Sequence, residues 1–335
     1  MNDVLEKAKR RLWSDIVSFS WRKSFYPLLY RCWWHARFVT KTSEAVCKKY
    51  MTAVPHPGAG IGHQMANWIA GYWFAQQFQL SFAHIPFSSG KWEALLGFGE
   101  DEIKAEDLIR NQSYRKVSLP LFDEFNAREL EQVSKIIASY ADKKVVFVFE
   151  QDQFYLDQFG VISQIQQKFY RAATRQHDKL IFSEQYFNIA IHVRRGDIVA
   201  GQTSDGNTNL TMRWQNSSYF ENVLASVLRI KEFQKPVKIH VFSQGQREEF
   251  AAFEKLGDVA YCLDMGPHES FLHMVRADLL ITSKSSFSYK PALLSKGIKV
   301  CPQNFWHGYP EGADWILAND EGLLDEVAIR KLERL

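Results

Sequence analysis

The sequence predicts an α/β protein of Rossmann-like domains with mostly parallel sheets, and three observations carry the prediction. From Asn188 onward, short β-branched runs alternate with amphipathic stretches, the pattern of β-α-β units in a doubly wound sheet. A separate β-loop-α-β unit is legible between residues 51 and 85. The third is the run Asn188 to Asp197, Asn-Ile-Ala-Ile-His-Val-Arg-Arg-Gly-Asp, which begins as a buried strand and stops abruptly in charge. In open α/β sheets ligands sit beyond the carboxyl ends of the strands, so Arg194 and Arg195 are placed where a ligand binds.

Met51 to Val54 reads as a strand that runs into a loop, Pro55 to Gln64, with Gly58, Gly60 and Gly62. Met65, Trp68, Ile69, Tyr72 and Trp73 recur at helical steps and predict a helix, and Leu80 to Ile85 predicts the next strand. Residues 86 to 125 show no clear periodicity. Glu129 to Tyr140 reads as a helix, Val145 to Phe149 as a strand ending at Glu150, and Val161 to Gln176 as a helix. Strands are then expected at 188–193, 237–242, 259–263, 278–282 and 298–301, with helices near 217–232, 246–256, 268–276 and 286–296, and a last one at 321–334. Pro291 fits if its helix starts near Ser288, because proline suits a first turn. The domains expected are 51–177 and 178–335, preceded by a leader of residues 1–50.

The chain of 335 residues is 46% hydrophobic and 24% charged, an ordinary globular composition. Cys32, Cys47, Cys262 and Cys301 are scattered without metal-ligand spacing, which fits a reducing compartment. No apolar run reaches the roughly 18 residues of a spanning helix, and no signal peptide is recognisable. A cytoplasmic location is expected, so the glycosylation-like triplets at Asn111, Asn209 and Asn216 carry no weight. The net charge of +3 is uneven: the first 50 residues hold eleven Lys/Arg against four Asp/Glu, with ten aromatics that include Trp13, Trp21, Trp33 and Trp34. Such a leader could hold the protein at an anionic membrane face, or simply pack as helices. No nucleic-acid-binding module accompanies the charge, so nucleic acid is not expected as a partner.

Arginine keeps its charge and offers a rigid fork of donors, which suits a diphosphate; Gly196 permits the sharp turn and Asp197 can orient a guanidinium. A surface Arg-Asp turn would look the same. Further strand ends bear chemistry. Ser243-Gln244-Gly245 is a small polar turn suited to a base or ribose, and Asp264 could reach the same groups. Lys284-Ser285-Ser286-Phe287-Ser288 opens a helix, whose unpaired amides make a phosphate seat, although serines cap helices for structural reasons alone.

His192-Val193-Arg194-Arg195-Gly196-Asp197 has the H-x-R-R-x-D form of the α-1,2-, α-1,6- and protein O-fucosyltransferases. The segment from Ser270 through Ser285-Ser286-Phe287-Ser288 to Pro302-Gln303-Asn304-Phe305-Trp306 resembles the C-terminal block of the bacterial α-1,2-fucosyltransferases. Gly60-Ile61-Gly62-His63-Gln64-Met65 resembles their N-terminal G-x-G-N-Q-M. Together these cover about a third of the chain. The resemblance implies a GT-B-like architecture of two facing domains, GDP-fucose bound mainly by the C-terminal one, inversion at the anomeric carbon and no metal or other cofactor. No Asp-x-Asp occurs in the chain.

On that reading fucose moves from GDP-fucose to a hydroxyl of an acceptor oligosaccharide or lipid-linked glycan. Arg194 and Arg195 stabilise the departing diphosphate, aided by Ser285, Ser286 and the amide of Phe287. Gly60, Gly62, His192, Asp197, Ser243 and Asp264 belong to the donor site, with His192 also readable as a hydrogen-bonded core residue. His63 is the candidate base, with Glu150 and Asp152 behind it. Two departures stand out. His63 replaces the family's asparagine, and Ser243-Gln244-Gly245 replaces Ser-Asp-Asp, which leaves room for another nucleotide sugar. A glycan- or nucleotide-binding protein without turnover, or a membrane-surface scaffold, are the readings from other classes.

Overall fold

The structure, a computed structural model, describes residues 8, 11–12, 15–16, 19–20, 23–26, 29, 47–56, 58–120, 122–149, 160–196, 213–263 and 265–335. Most of the basic leader, together with Glu150, Asp152, Asp197 and Asp264, lies outside the described residues. Among those described, no helix is long and apolar enough to cross a membrane.

The chain forms two compact units. One comprises Met1–Val54, Ala70–Ile85 and Glu102–Gln153; the other comprises Pro55–Ile69, Pro86–Asp101 and Phe154–Leu335. The glycine-rich loop and the first turns of the helix after it therefore belong with the C-terminal half.

The first unit holds a five-stranded parallel sheet of β1 (Tyr50–Ala53), β2 (Ser81–His84), β3 (Ile103–Lys104), β4 (Arg115–Ser118) and β5 (Val145–Phe149), in the order β3-β2-β1-β5-β4. Every residue of β5 is buried, as a continuous apolar run predicts for a strand covered on both faces. Helix α1 (Ile61–Gln77) follows the glycine loop, and the Gly60 carbonyl accepts the first helical amides, from His63 (3.0 Å) and Gln64 (3.2 Å). The stretch from 86 to 125, unassigned from sequence, contains α2 (Gly90–Leu96), β3, α3 (Ala105–Asn111) and β4. These elements are too short to show a period. Helices α4 (Ala127–Ala138) and α5 (Ile162–Arg171) lie where expected, the second ending in a 3₁₀ turn, Ala173–His177.

The second unit is built on a six-stranded, wholly parallel sheet: β6 (Phe187–His192), β7 (Val237–Phe242), β8 (Val259–Cys262), β9 (Leu279–Ile281), β10 (Ile298–Pro302) and β11 (Trp315–Ala318). Their order is β11-β10-β9-β6-β7-β8. Ile191 sits between Val241 and Ile281 in register, and all three are fully buried. Tyr219, Phe220, Val223, Leu224 and Val227 of α6 (Ser217–Ile230) join that core. The other connections are a 3₁₀ segment, Arg247–Lys255, where sequence predicts a regular helix, then α7 (Pro267–Arg276), α8 (Ser286–Leu294) and α9 (Glu326–Arg334). Strand β11 occupies part of a stretch that periodicity leaves unassigned, and α9 starts five residues later than expected. The α/β class with two parallel sheets is the one the sequence predicts.

Helix α8 begins at Ser286, as the strand–helix alternation predicts, and not at the Ser288 that would place Pro291 in its first turn, because the Ser285 hydroxyl caps it by accepting the Phe287 amide at 3.2 Å. Pro291 then falls inside the helix, where its missing N–H removes the usual donor to the Phe287 carbonyl. Ser288 to Leu294 are all buried, and packing on every side holds the turn that the proline weakens.

The start of β6 is fixed by polar groups. The Asn188 amide donates to Asp278 at 2.7 Å, its Nδ2 donates to the Ser183 and Tyr186 carbonyls at 3.1 Å each, and its Oδ1 meets His240 Nε2 at 3.2 Å. Asn188 is buried, so Asn188→Ala strands several partners at once and lowers stability by about 2 kcal/mol. Urea unfolding of the variant against the native chain measures it.

Candidate functional site

The sheet of the second unit reverses direction at β6. The chain adds β7 and β8 on one side, then crosses to add β9, β10 and β11 on the other. Ligands of open α/β sheets bind at this kind of switch point, and here the flanking strand ends are those of β6 and β9. A cavity of about 370 Å³ opens beside the carboxyl ends of β6 and β7, lined by His192, Val193, Arg194, Arg195, Phe242, Ser243, Gln244, Met265, Pro267, Ser270 and Phe287. Its described lining contains two guanidiniums and no carboxylate, and helices α7 and α8 bring their amino ends to it. Both features favour an anion.

Arg194 is half-buried, and its Nη1 donates to the Ser285 hydroxyl at 3.1 Å. Ser285 is 2% exposed, so its role is to hold Arg194 and cap α8 rather than to meet a ligand. Arg195 behaves differently. It is buried, with Nη1 donating to the carbonyls of Arg194 (3.0 Å) and Gln215 (3.1 Å) and Nη2 to Ser217 Oγ (3.1 Å). Its guanidinium lies 4.2 Å from the centre of the Trp214 ring. Burial pulls its pKa down, with the Glu249 carboxylate opposing. The sequence treats the two arginines as a matched pair; the structure turns Arg195 onto two backbone carbonyls and a hydroxyl of the protein.

His192 is buried, its Nδ1 2.7 Å from Ser283 Oγ and its ring 5.5 Å from that of Phe287. Burial, then the charge of Arg194, pushes the imidazole down to about 3, so it lines the cavity as a neutral ring. Ser243 donates to the Val193 carbonyl at 2.7 Å and ties the ends of β6 and β7 together. Gly196 has φ +70° and its missing side chain leaves room for that of Gln244. Here glycine is required twice over, by conformation and by space.

Gly62 meets the seat of α8: a Cβ there would lie 2.7 Å from Ser286 Oγ and 3.0 Å from its carbonyl carbon. The glycine motif and the serine turn, far apart in sequence, are thus in contact. Nothing crowds Gly60, whose carbonyl starts α1. His63 is exposed on that first turn, 6.2 Å from the His56 ring, and lies outside the cavity lining. The amide of Phe287, expected to face a phosphate, instead donates to Ser285, and it is the Phe287 ring that reaches the cavity. Asp197 and Asp264 lie outside the described residues. Among those described, no group of three or more His, Cys, Asp or Glu is placed to share a metal.

Sequence reading misses the residues that hold Arg195. Gln215 links two parts of the site, its carbonyl accepting from Arg195 and its Oε1 accepting the Lys284 amide at 2.7 Å. A glutamine in a loop carries no signal of such a role. Met265 and Pro267 carry no signal either, since they reach the cavity only because α7 starts there, whereas Ser270 opens the block singled out by resemblance.

No protein-family model matches the chain, and no curated protein matches it in sequence. Among solved structures it is similar to POFUT1 in complex with GDP-fucose, with a TM-score of 0.45 at 12% identity, covering 76% of this chain and 97% of that one. It is also similar to the NodZ α-1,6-fucosyltransferase co-crystallized with GDP, with a TM-score of 0.38 at 12% identity over 74% and 93% of the two chains. Fucosyltransferase NodZ from Bradyrhizobium gives 0.38 at 12% over 74% and 94%.

Two outcomes are expected. Arg195→Lys replaces a fork on three acceptors by a single ammonium and lowers the melting temperature by several degrees, corresponding to about 2 kcal/mol; calorimetry reads this directly. The second concerns acid. His192 at about 3 and His240, which burial and then Lys238 push to about 4, stay neutral in the fold although the ordinary value is 6.5. The unfolded chain therefore takes up protons first as pH falls below 6.5. Stability is full above that value and drops by about 1.4 kcal/mol per pH unit per histidine down to the folded values. Melts between about pH 7.5 and pH 5 show the slope, and His192→Asn makes it shallower.

Proposed function

We propose that the protein is an inverting, metal-independent glycosyltransferase that moves fucose from GDP-fucose to a hydroxyl of an acceptor glycan. One observation carries the reading: Arg194 and the amino end of α8, joined through Ser285, converge on a cavity with no carboxylate in its described lining, at the carboxyl ends of two neighbouring strands of a parallel sheet. The H-x-R-R-x-D, G-x-G and Ser-Ser-Phe-Ser resemblances supply the identity of the donor.

Cleavage of the sugar–phosphate bond places negative charge on the leaving diphosphate. Arg194, fixed before the reaction by its bond to Ser285, neutralises it there without needing to reorganise. The α8 dipole acts on the same charge. Arg195 positions the backbone that carries Arg194, and His192 and Ser243 shape the wall. His63 takes the acceptor proton as the bond to the anomeric carbon forms; its turn of α1 is held at the seat of α8 through Gly62. The acceptor hydroxyl attacks from the face opposite the departing GDP, which inverts the configuration. The acceptor is an oligosaccharide or lipid-linked glycan, met in the cytoplasm or at the inner face of the membrane through the basic leader.

A second nucleotide sugar is favoured by one observation: the neutral Gln244 sits in the lining where the resembled family has an acid. Calorimetric titration with GDP-fucose, GDP-mannose and UDP-galactose separates the cases. GDP-fucose is expected to bind one per chain. Arg194→Ala is expected to fold normally, since the side chain is only half-buried, and to weaken binding about ten- to a hundredfold, the loss of a charge-assisted bond. A wild-type chain that ignores all guanosine nucleotides, or an alanine variant that binds them as tightly, would overturn the assignment.

A further inference from the structure

The loop after β10, Gln303-Asn304-Phe305-Trp306, ends the block that resembles the bacterial enzymes and is followed by His307, yet the donor cavity does not use it. Trp306 is 50% exposed, while Phe305 and His307 on either side are 6% and 5% exposed. A single exposed aromatic is ordinary at a protein surface; what sets this one apart is how it is held.

This indole is held still. Its Nε1 donates to His307 Nε2 at 3.0 Å, the Phe305 ring lies 4.4 Å away centre to centre, and the Arg213 guanidinium lies 5.3 Å from the ring centre. The bond needs a lone pair on His307 Nε2, hence a neutral imidazole. Burial, then the charges of Lys290, Arg213 and His63, hold His307 down at about 2. The clamp therefore persists through any pH at which the protein works.

The loop is anchored to the donor site on two flanks. On one, Arg213 precedes Trp214, whose ring carries Arg195. On the other, Asn304 Nδ2 donates to Asp320 at 2.9 Å, and the second oxygen of Asp320 accepts Lys284 Nζ at 2.9 Å, one residue before the cap of α8. An aromatic plate is thus tied to the groups assigned to the donor.

We infer that Trp306 is the platform for the acceptor sugar, stacking on the apolar face of a pyranose ring while the exposed amides of Gln303 and Asn304 and the guanidinium of Arg213 meet its hydroxyls. The inference rests on the transferase reading for its place in the reaction. A pyranose has one face of C–H bonds, which suits the negative face of an indole, and a rim of hydroxyls, which suits amides and a guanidinium. A lipid tail or a protein partner would call for an apolar surround, whereas both residues preceding Phe305 are exposed amides.

Saturation-transfer NMR on the full chain with GDP present tests it, using methyl β-D-galactopyranoside, methyl α-D-mannopyranoside and methyl β-D-glucopyranoside as probes. At least one is expected to receive saturation from the native protein. Trp306→Ala should abolish the signal or raise the dissociation constant about tenfold or more, Trp306→Phe should retain part of it, and GDP affinity should serve as the check on folding. If the alanine variant misfolds, the phenylalanine variant together with Asn304→Ala carries the test, each weakening the glycoside signal. No transfer to any glycoside from the native protein, or undiminished transfer from a folded variant, would overturn the platform. Failure of GDP-fucose to bind with glycoside contact intact would sink the transferase reading and leave the platform standing.

Discussion

The hydroxyl of Ser285 accepts two hydrogen bonds at once, the Phe287 amide at the start of α8 and the guanidinium of Arg194 beyond the end of β6. The first sets where the helix begins, and with it the direction of its dipole. The second sets where a positive charge stands relative to that dipole. Because Ser285 is almost wholly buried, neither bond competes strongly with water, and the geometry is maintained before any ligand arrives. Strand order is what allows the meeting: β6 and β9 are neighbours in the sheet although about 90 residues separate them.

Among the described residues that line the cavity, the only charged side chains are Arg194 and Arg195. Two adjacent guanidiniums repel, and the structure relieves the repulsion by assigning them different surroundings. Arg195 has backbone carbonyls, a hydroxyl and the Trp214 face; Arg194 points along the cavity wall. His192 between them and Ser283 stays neutral, because a third positive charge in a buried position would be costly. That leaves Arg194 as the guanidinium placed to meet an anion in the cavity, for which a diphosphate would be a natural counter-charge.

Much of the fold is legible in the sequence because parallel strands leave apolar or alternating β-branched runs. Val145–Phe149, apolar throughout, and Val237–Phe242, interrupted by Lys238 and His240, are both found at the expected limits. What escapes has little local signal: β3 is two residues long and β11 lies in a loop-rich stretch. At the site, strand-end logic picks out Arg194, Arg195 and His192, because a charged stop to an apolar run is visible in one dimension. It cannot tell the two arginines apart. Their difference is made by Gln215 and Ser217, about twenty residues away in a loop and a helix start.

The glycine motif shows how a glycine can stand where it does for a reason that sequence does not display. Gly58, Gly60 and Gly62 suggest a loop that lets a ligand approach the backbone, yet Gly62 is small because Ser286 packs against it. That contact has a structural consequence of its own. It fixes the first turn of α1 against the first residue of α8, so the position of His63 is set by the same short helix start that sets Arg194. In the proposed reaction the two would serve as proton acceptor and as stabiliser of the leaving group, and an in-line displacement would need them at a constant separation. A shared junction would supply that constancy through packing rather than through any direct bond between the two side chains.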